Sequence, residues 1–163
     1  MAVPPGREDY AHAELMITLP PDWRLTEDAF RDERWYWPVR WLEKLARFPH
    51  EYKTWLGHGH SIPNGDPASP LGPGTKLSGF LVMPPVSMPA ESYVLDDGEG
   101  PRILFYALYP LYDEEMRLKL AEGTDAVIEK METASITDWV NPRRARTCCR
   151  ERSCSASSEA CRR

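Results

Sequence analysis

Apolar and polar side chains alternate along residues 11–19, before the chain reaches Pro20-Pro21. Because successive side chains of a strand point to opposite faces, this alternation predicts a strand that ends at the two prolines. Three apolar side chains would share its buried face: Leu15, Ile17 and Leu19. Glu14 would lie on the opposite face and contact solvent, unless an arginine such as Arg40 pairs with it inside the protein.

An apolar side chain recurs at helical spacing between Pro38 and Phe48. Pro38 suits the first turn of a helix because that turn needs no amide donor, and Pro49 would end the helix. The buried face would consist of Trp41, Leu42, Leu45 and Phe48. Five of the six tryptophans fall between residues 23 and 55, and we expect most of them in the core. The alternative is that one or two of them anchor a partner.

The second half of the chain predicts two further strands and two helices. Residues 77–83 are typical of one strand, and the continuous apolar run at residues 103–109 is typical of a strand covered on both faces. An acidic start at residues 113–115 and Gly123 delimit one helix, and Thr124 would cap the next one. The sequence therefore predicts an α+β fold, with a mostly antiparallel sheet and helices packed against it.

The composition is that of an ordinary globular protein, with 42% hydrophobic and 28% charged residues. A chain of 163 residues suits one domain, which we place at residues 1–142. No apolar run has the length of a membrane span, and the N-terminus has no apolar signal region. We therefore expect a cytoplasmic protein.

Residues 143–163 differ from the rest of the chain. They hold seven Arg against two Glu, so residues 1–142 carry a net charge of −10 although the whole chain carries −5. An acidic domain argues against nucleic acid as its ligand and suits a basic protein partner.

All four cysteines lie in residues 143–163, without the paired spacing of zinc ligands: Cys148, Cys149, Cys154 and Cys161. Lacking large apolar residues, the segment is expected to be a disordered extension or the product of a shifted reading frame. A zinc site or a nucleic-acid-binding arm is the weaker alternative.

The chemically richest segment is the loop at residues 52–66, which contains two of the four histidines. Alternate residues of an extended segment share a face, so His58 and His60 could bind one metal with Asp66 as an oxygen ligand. Such a site would make the protein a metal-dependent hydrolase. The spacing fixes no third ligand, and glycine on both sides of His58 weakens a rigid site, so we expect no metal or cofactor. The simpler interpretation is that both rings brace the loop by hydrogen bonds.

Three collinear segments resemble the bacterial suppressor-of-fused-like domain. They are residues 14–23, ending in Leu-Pro-x-x-Trp, residues 37–42, and residues 54–65 with a Gly-His-x-Ile-Pro-Asn-Gly loop. Residues 110–116 continue the match, and the resemblance covers residues 3–142.

The resemblance implies a protein-binding module and not an enzyme. The animal namesake sequesters a transcription factor, and many bacterial members lie beside polymorphic toxins and resemble immunity proteins. For this chain it implies an antitoxin that neutralises a toxin domain by direct binding, without nucleic acid or membrane; a regulator that sequesters a transcription factor is the alternative. The partner-binding residues that we expect in the loop are Trp55, His58, His60 and Asn64.

Members of this family usually carry several strands before the Glu-Leu-Met strand, whereas this chain begins almost at that strand. We therefore expect the N-terminal strands of the family to be missing, which would leave residues 11–19 at an unpaired sheet edge. The sequence predicts neither the partner's identity nor the oligomeric state.

Overall fold

A sheet of five strands lies at the centre of the protein. The computed structural model describes residues 1–96 and 98–147, and within them the strands are β1 (Ala13–Met16), β2 (Ser61–Pro63), β3 (Gly79–Met83), β4 (Val94–Leu95) and β5 (Ile103–Leu111). Their order is β1-β5-β3-β2, and β4 also pairs with β5. β1 runs parallel to β5, whereas the other pairs are antiparallel. The predicted α+β fold with a mostly antiparallel sheet is confirmed.

The helices of the described residues are α1 (Glu33–Glu51), α2 (Asp113–Glu122) and α3 (Thr124–Thr133). Short 3-10 helices occur at Glu8–Tyr10, Ala29–Arg31 and Ala90–Ser92. None of the helices found in this part of the chain is long and apolar enough to cross a membrane.

β5 separates two hydrophobic clusters. Its side chains alternate, so that Tyr106 and Leu108 join one cluster while Ala107 and Tyr109 join the other. The first cluster contains the buried residues of α1, Trp37, Trp41 and Leu45. The second contains the buried apolar residues of α2 and α3, Met116, Val127 and Met131. The prediction of a strand covered on both faces is confirmed.

The alternation predicted for β1 is also confirmed. The apolar residues that pack against the first cluster include Leu15, Ile17 and Leu19. Met16, on the other face, packs against the second cluster. Glu14 is exposed, and Arg40 pairs with Glu33 instead. β1 is shorter than predicted because Met16 is the last residue paired with β5. Thr18 pairs instead with Trp139, in the C-terminal segment (residues 134–147).

The predicted bounds of the first helix were wrong. α1 begins at Glu33, because the Asp32 side chain accepts a hydrogen bond from the Arg34 amide and caps the helix. Pro38 and Pro49 both lie inside it as buried residues. A proline inside a helix removes one amide donor and crowds the carbonyl four residues before it, and burial of the two rings in the core offsets part of that cost.

Gly123 both ends α2 and begins α3. Its φ of +94° is easily reached only by glycine, and its amide donates to the Lys119 carbonyl. The predicted cap at Thr124 was wrong, because the cap position of α3 is Gly123. The Thr124 hydroxyl instead donates to the carbonyl of Gly59 at 3.5 Å.

A buried ion pair fastens the C-terminal segment to α2. The side chains of Glu115 and Arg144 are 0% and 7% exposed, and the guanidinium donates to both carboxylate oxygens. The amide of Tyr112 and both donors of Thr147 also reach this carboxylate. Burial alone would raise the pKa of Glu115, but the hydrogen bonds and charge of Arg144 outweigh it and hold the pKa below its ordinary value.

The described residues beyond the predicted domain boundary at residue 142 therefore contact α2. Arg146 also pairs with Glu114. The boundary itself stays a prediction. The four cysteines, from Cys148 onward, and the disorder predicted around them lie outside the described residues.

We predict that Glu115→Gln and Arg144→Met each lower the free energy of unfolding by about 3–5 kcal/mol, because each leaves a buried group without its partner. Urea denaturation at neutral pH measures this loss. Arg117→Met is the matched control, since it removes the exposed Arg117–Asp113 pair and should cost less than about 1 kcal/mol. Equal losses in the buried and exposed pairs would contradict the prediction.

The Glu115 pair also predicts a pH dependence. Since the pKa of Glu115 is lower in the folded than in the unfolded chain, its stabilisation is complete above the ordinary value of 4.5 and is lost as pH falls through the folded value. Between neutral pH and about pH 3, the wild-type chain should lose more stability than Glu115→Gln, which has no such titration. Parallel acid losses in the two chains would show that other carboxylates govern the transition.

Candidate functional site

The histidine loop is part of the sheet's hydrogen-bond ladder. The amide of Gly59 donates to the carbonyl of Val82 at 2.8 Å, and the amide of Val82 donates to the carbonyl of His60 at 2.8 Å. These bonds extend the pairing of β2 with β3 into the loop. The loop is therefore held at a fixed position beside the sheet.

Trp55 and His60 support the loop from inside. Their ring centres are 4.4 Å apart, and the ring of Tyr10 lies 5.8 Å from that of Trp55. Burial lowers the pKa of His60, and a backbone hydrogen bond with Trp55 partly offsets this effect. Gly57 is required by close approach, because a Cβ atom there would lie 2.6 Å from the Trp55 ring. Both side chains are thus engaged by the protein itself.

Asn64 stabilises the turn that follows β2. Its side-chain amide donates to the carbonyls of Ser69 and Pro70 at 3.0 and 2.9 Å. Its backbone amide donates to Ser78 at 2.8 Å. Because both hydrogens of the side-chain amide are used, Asn64 shapes the loop and has no donor left for a partner.

His58 differs from the other three residues of the predicted site because it is exposed. It lies at the boundary of two cavities. One, of about 350 Å³, lies where β5 begins and includes Tyr10 and Tyr106 in its wall. The other, of about 220 Å³, lies between β3 and α3. His58, Pro84 and Tyr93 line both cavities and form a ridge between them.

Hydrogen bonds from the sheet hold this ridge. The hydroxyl of Tyr109 donates to the carbonyl of Pro84 at 3.1 Å, and the amide of Phe105 donates to the carbonyl of Tyr93 at 2.9 Å. Burial, reinforced by the charge of Asp138, raises the pKa of Tyr109 far above its ordinary value. Its hydroxyl therefore stays protonated and acts as a structural donor.

The two cavities differ in charge but share an apolar lining. Asp9 and Arg102 line the first, whereas Glu132 is the charged residue that lines the second. The second cavity is otherwise mainly aliphatic and aromatic, with Met83 and Met131 in its walls. Flexible methionine side chains adapt to varied apolar surfaces, so this arrangement suits contact with a partner's side chains.

The metal hypothesis gains no support from the geometry. Gly59 has a φ of +79°, which breaks the extended alternation that would place His58 and His60 on one face. Asp66 is exposed in the turn after β2. In the two described ranges, no three His, Cys, Asp or Glu residues come together in a way that could hold a metal ion.

Sequence reasoning singled out His58 but not the other two residues of the ridge, and its role in binding stays a prediction. Pro84 follows β3, and Tyr93 precedes β4, in stretches that show neither helical nor strand periodicity. Hydrogen bonds to Tyr109 and Phe105, which are distant in sequence, help to bring them beside His58. The Pro84-Pro85 dipeptide in the sequence indicates a bend after β3, but it does not indicate that Pro84 lies beside His58.

Comparison with known proteins agrees with this architecture. The family profile described as Suppressor of fused protein (SUFU) matches residues 1–145. A crystal structure of the Sufu–Fu complex matches with a TM-score of 0.52 and 18% identity, covering 68% of this chain and 45% of that chain. The crystal structure of Drosophila Suppressor of Fused matches with a TM-score of 0.53 and 18% identity, covering 68% of this chain and 25% of the other. No curated protein sequence gives a significant match.

The chain spans less than half of either solved structure, and at 18% identity these matches show the fold alone. The family profile extends further, from the first residue through the Arg144 that pairs with Glu115. By this match over residues 1–145, the chain belongs to the suppressor of fused family.

Proposed function

We propose that this chain is a bacterial, cytoplasmic immunity protein that neutralises a toxin domain by binding it at the His58 ridge. The observation that carries the proposal is the pair of cavities divided by His58, Pro84 and Tyr93. Trp55, His60 and Asn64 act within the same site by holding the loop that presents His58. The protein inhibits by occupying the toxin's surface and needs no cofactor.

Two cavities on either side of a ridge suit two neighbouring side chains of a partner. The smaller one accepts an aliphatic side chain between Met83 and Met131. The larger one offers the phenol rings of Tyr10 and Tyr106, with Arg102 available to a polar group. Binding energy in protein interfaces concentrates in such desolvated pockets, which a few anchor residues fill.

The ridge needs little reorganisation before it binds. Backbone or hydroxyl donors fix Pro84 and Tyr93, and the ladder to Val82 fixes the loop of His58. A surface that is already ordered loses less conformational entropy on association, which favours affinity. This feature supports inhibition by stable binding.

Charge supports a basic partner. Residues 1–142 carry a net charge of −10, which accelerates encounter with a positively charged domain. Toxin domains that act on nucleic acid carry such basic surfaces, because they must approach phosphates. The family relationship adds a precedent for a protein partner, since one of the similar structures is of Sufu in complex with Fu.

We predict that His58→Ala weakens binding to the toxin domain by about tenfold or more, because it removes the exposed side chain of the ridge. The matched control is His50→Ala, which removes an exposed histidine near the end of α1. Calorimetric titration of the purified toxin domain, combined with growth rescue on co-expression, measures the effect. A His58→Ala chain that binds and rescues as well as His50→Ala would overturn the assignment of this ridge.

The loop-supporting residues should behave differently. We predict that Asn64→Ala costs about 1–3 kcal/mol of folding free energy, because two carbonyls lose their donor. His58→Ala should leave stability within about 0.5 kcal/mol of wild type, as expected for an exposed side chain. Thermal unfolding and toxin binding measured on the same samples separate the two roles. Equal stability losses would show that His58 is also structural.

A further inference from the structure

A second cleft, separate from the His58 ridge, is lined by three of the six tryptophans. It has a volume of about 680 Å³ and is bordered by the loop before α1, the start of α1 and the C-terminal segment. Trp23, Trp35 and Trp139 line it, together with prolines from three parts of the chain. Neither the histidine loop nor the two smaller cavities contribute to its wall.

Trp139 exposes part of its side chain to solvent. It is 44% exposed, whereas its neighbours Asp138 and Val140 are 0% and 1% exposed. The hydroxyls of Thr18 and Ser87 donate to the Asp138 carboxylate, and the amide of Val140 donates to the carbonyl of Thr18. Both flanks are thus anchored, and the large apolar ring is presented with little freedom to fold back.

The opposite wall is equally ordered. The indole N–H of Trp23 donates to the carbonyl of Trp35 at 2.9 Å, and the two rings meet edge to face at 5.4 Å. Trp35 and Trp139 themselves donate from their indole nitrogens to no residue that the structure describes. Two indole side chains with unused N–H donors therefore line one cleft, and aromatic-lined grooves of this kind bind polyproline-type peptides.

The rim of the cleft is basic although the domain is acidic. Arg143 lines it, and Arg24 lies over the ring of Trp35 at 5.2 Å. Neither arginine has an acidic partner among residues 1–96 and 98–147. Arg34 is paired with Asp32, and Asp22 is the one carboxylate in the wall. The unpaired positive charges favour a ligand that carries carboxylates.

We propose that this cleft binds an extended, proline-rich and acidic peptide segment of a protein partner. A proline ring packs on the exposed Trp139, and the indole N–H groups of Trp35 and Trp139 donate to the peptide's carbonyls. Arg143 and Arg24 attract its carboxylates. The surface is independent of the proposed toxin site and gives the protein a second partner.

The test uses the full chain and the synthetic peptide Pro-Pro-Glu-Pro-Pro-Glu-Pro-Pro. Calorimetric titration measures affinity, and the indole N–H signals in NMR spectra locate the peptide. We expect saturable binding that shifts the Trp35 and Trp139 signals, and a loss of about tenfold or more in Trp139→Ala. Tyr52→Ala, which removes another exposed aromatic residue, should bind as wild type.

Two further peptides test the chemistry. Replacing the prolines by alanine should abolish binding, and replacing glutamate by lysine should weaken it for wild type but not for Arg143→Glu. Absence of binding at about 1 mM peptide, or binding that Trp139→Ala leaves unchanged, would overturn the proposal. Tighter binding of a single-stranded oligonucleotide than of the peptide would likewise reject it, in favour of a nucleic-acid site.

Discussion

Burial of β5 on both faces is the constraint from which the rest of the architecture follows. Its odd and even residues enter different hydrophobic clusters, so α1 must cover one face while α2 and α3 cover the other. Its pairing also creates the candidate site. β4 pairs only as far as Leu104, and β3 pairs only from Ala107 onward. Phe105 and Tyr106 lie between these two pairings, and both line the cavity of about 350 Å³ beside His58.

The parts of the fold that sequence reasoning predicted are those specified by local periodicity. β5 and the alternation of β1 each follow from spacing alone. Proline positions were misleading, because Pro38 and Pro49 lie inside α1. A proline's cost in a helix is local, whereas the gain from burying its ring depends on tertiary neighbours that the sequence does not show.

The candidate site was predictable only in part, for a related reason. A glycine-rich loop containing histidines indicated a surface that presents side chains, and His58 is exposed at the ridge. Spacing could not distinguish it from His60, because the positive φ of Gly59 turns the chain between them. Nor could it indicate Tyr93, whose place beside His58 depends on β5.

The C-terminal segment shows how composition conceals individual interactions. The lack of large apolar residues predicted a disordered extension over residues 143–163, and that stays a prediction, but within the described residues Arg144 pairs with the buried Glu115. The average composition of residues 143–163 cannot show that one arginine lies beside a buried carboxylate. Such a partner offsets the cost of burying the charge. Before these residues, the buried Asp138 carboxylate fixes the chain by accepting hydrogen bonds from Thr18 and Ser87. Between these two polar anchors the chain has no regular structure, but the position of Trp139 is determined by its buried neighbours. An irregular segment thus completes the core and orients an exposed aromatic side chain.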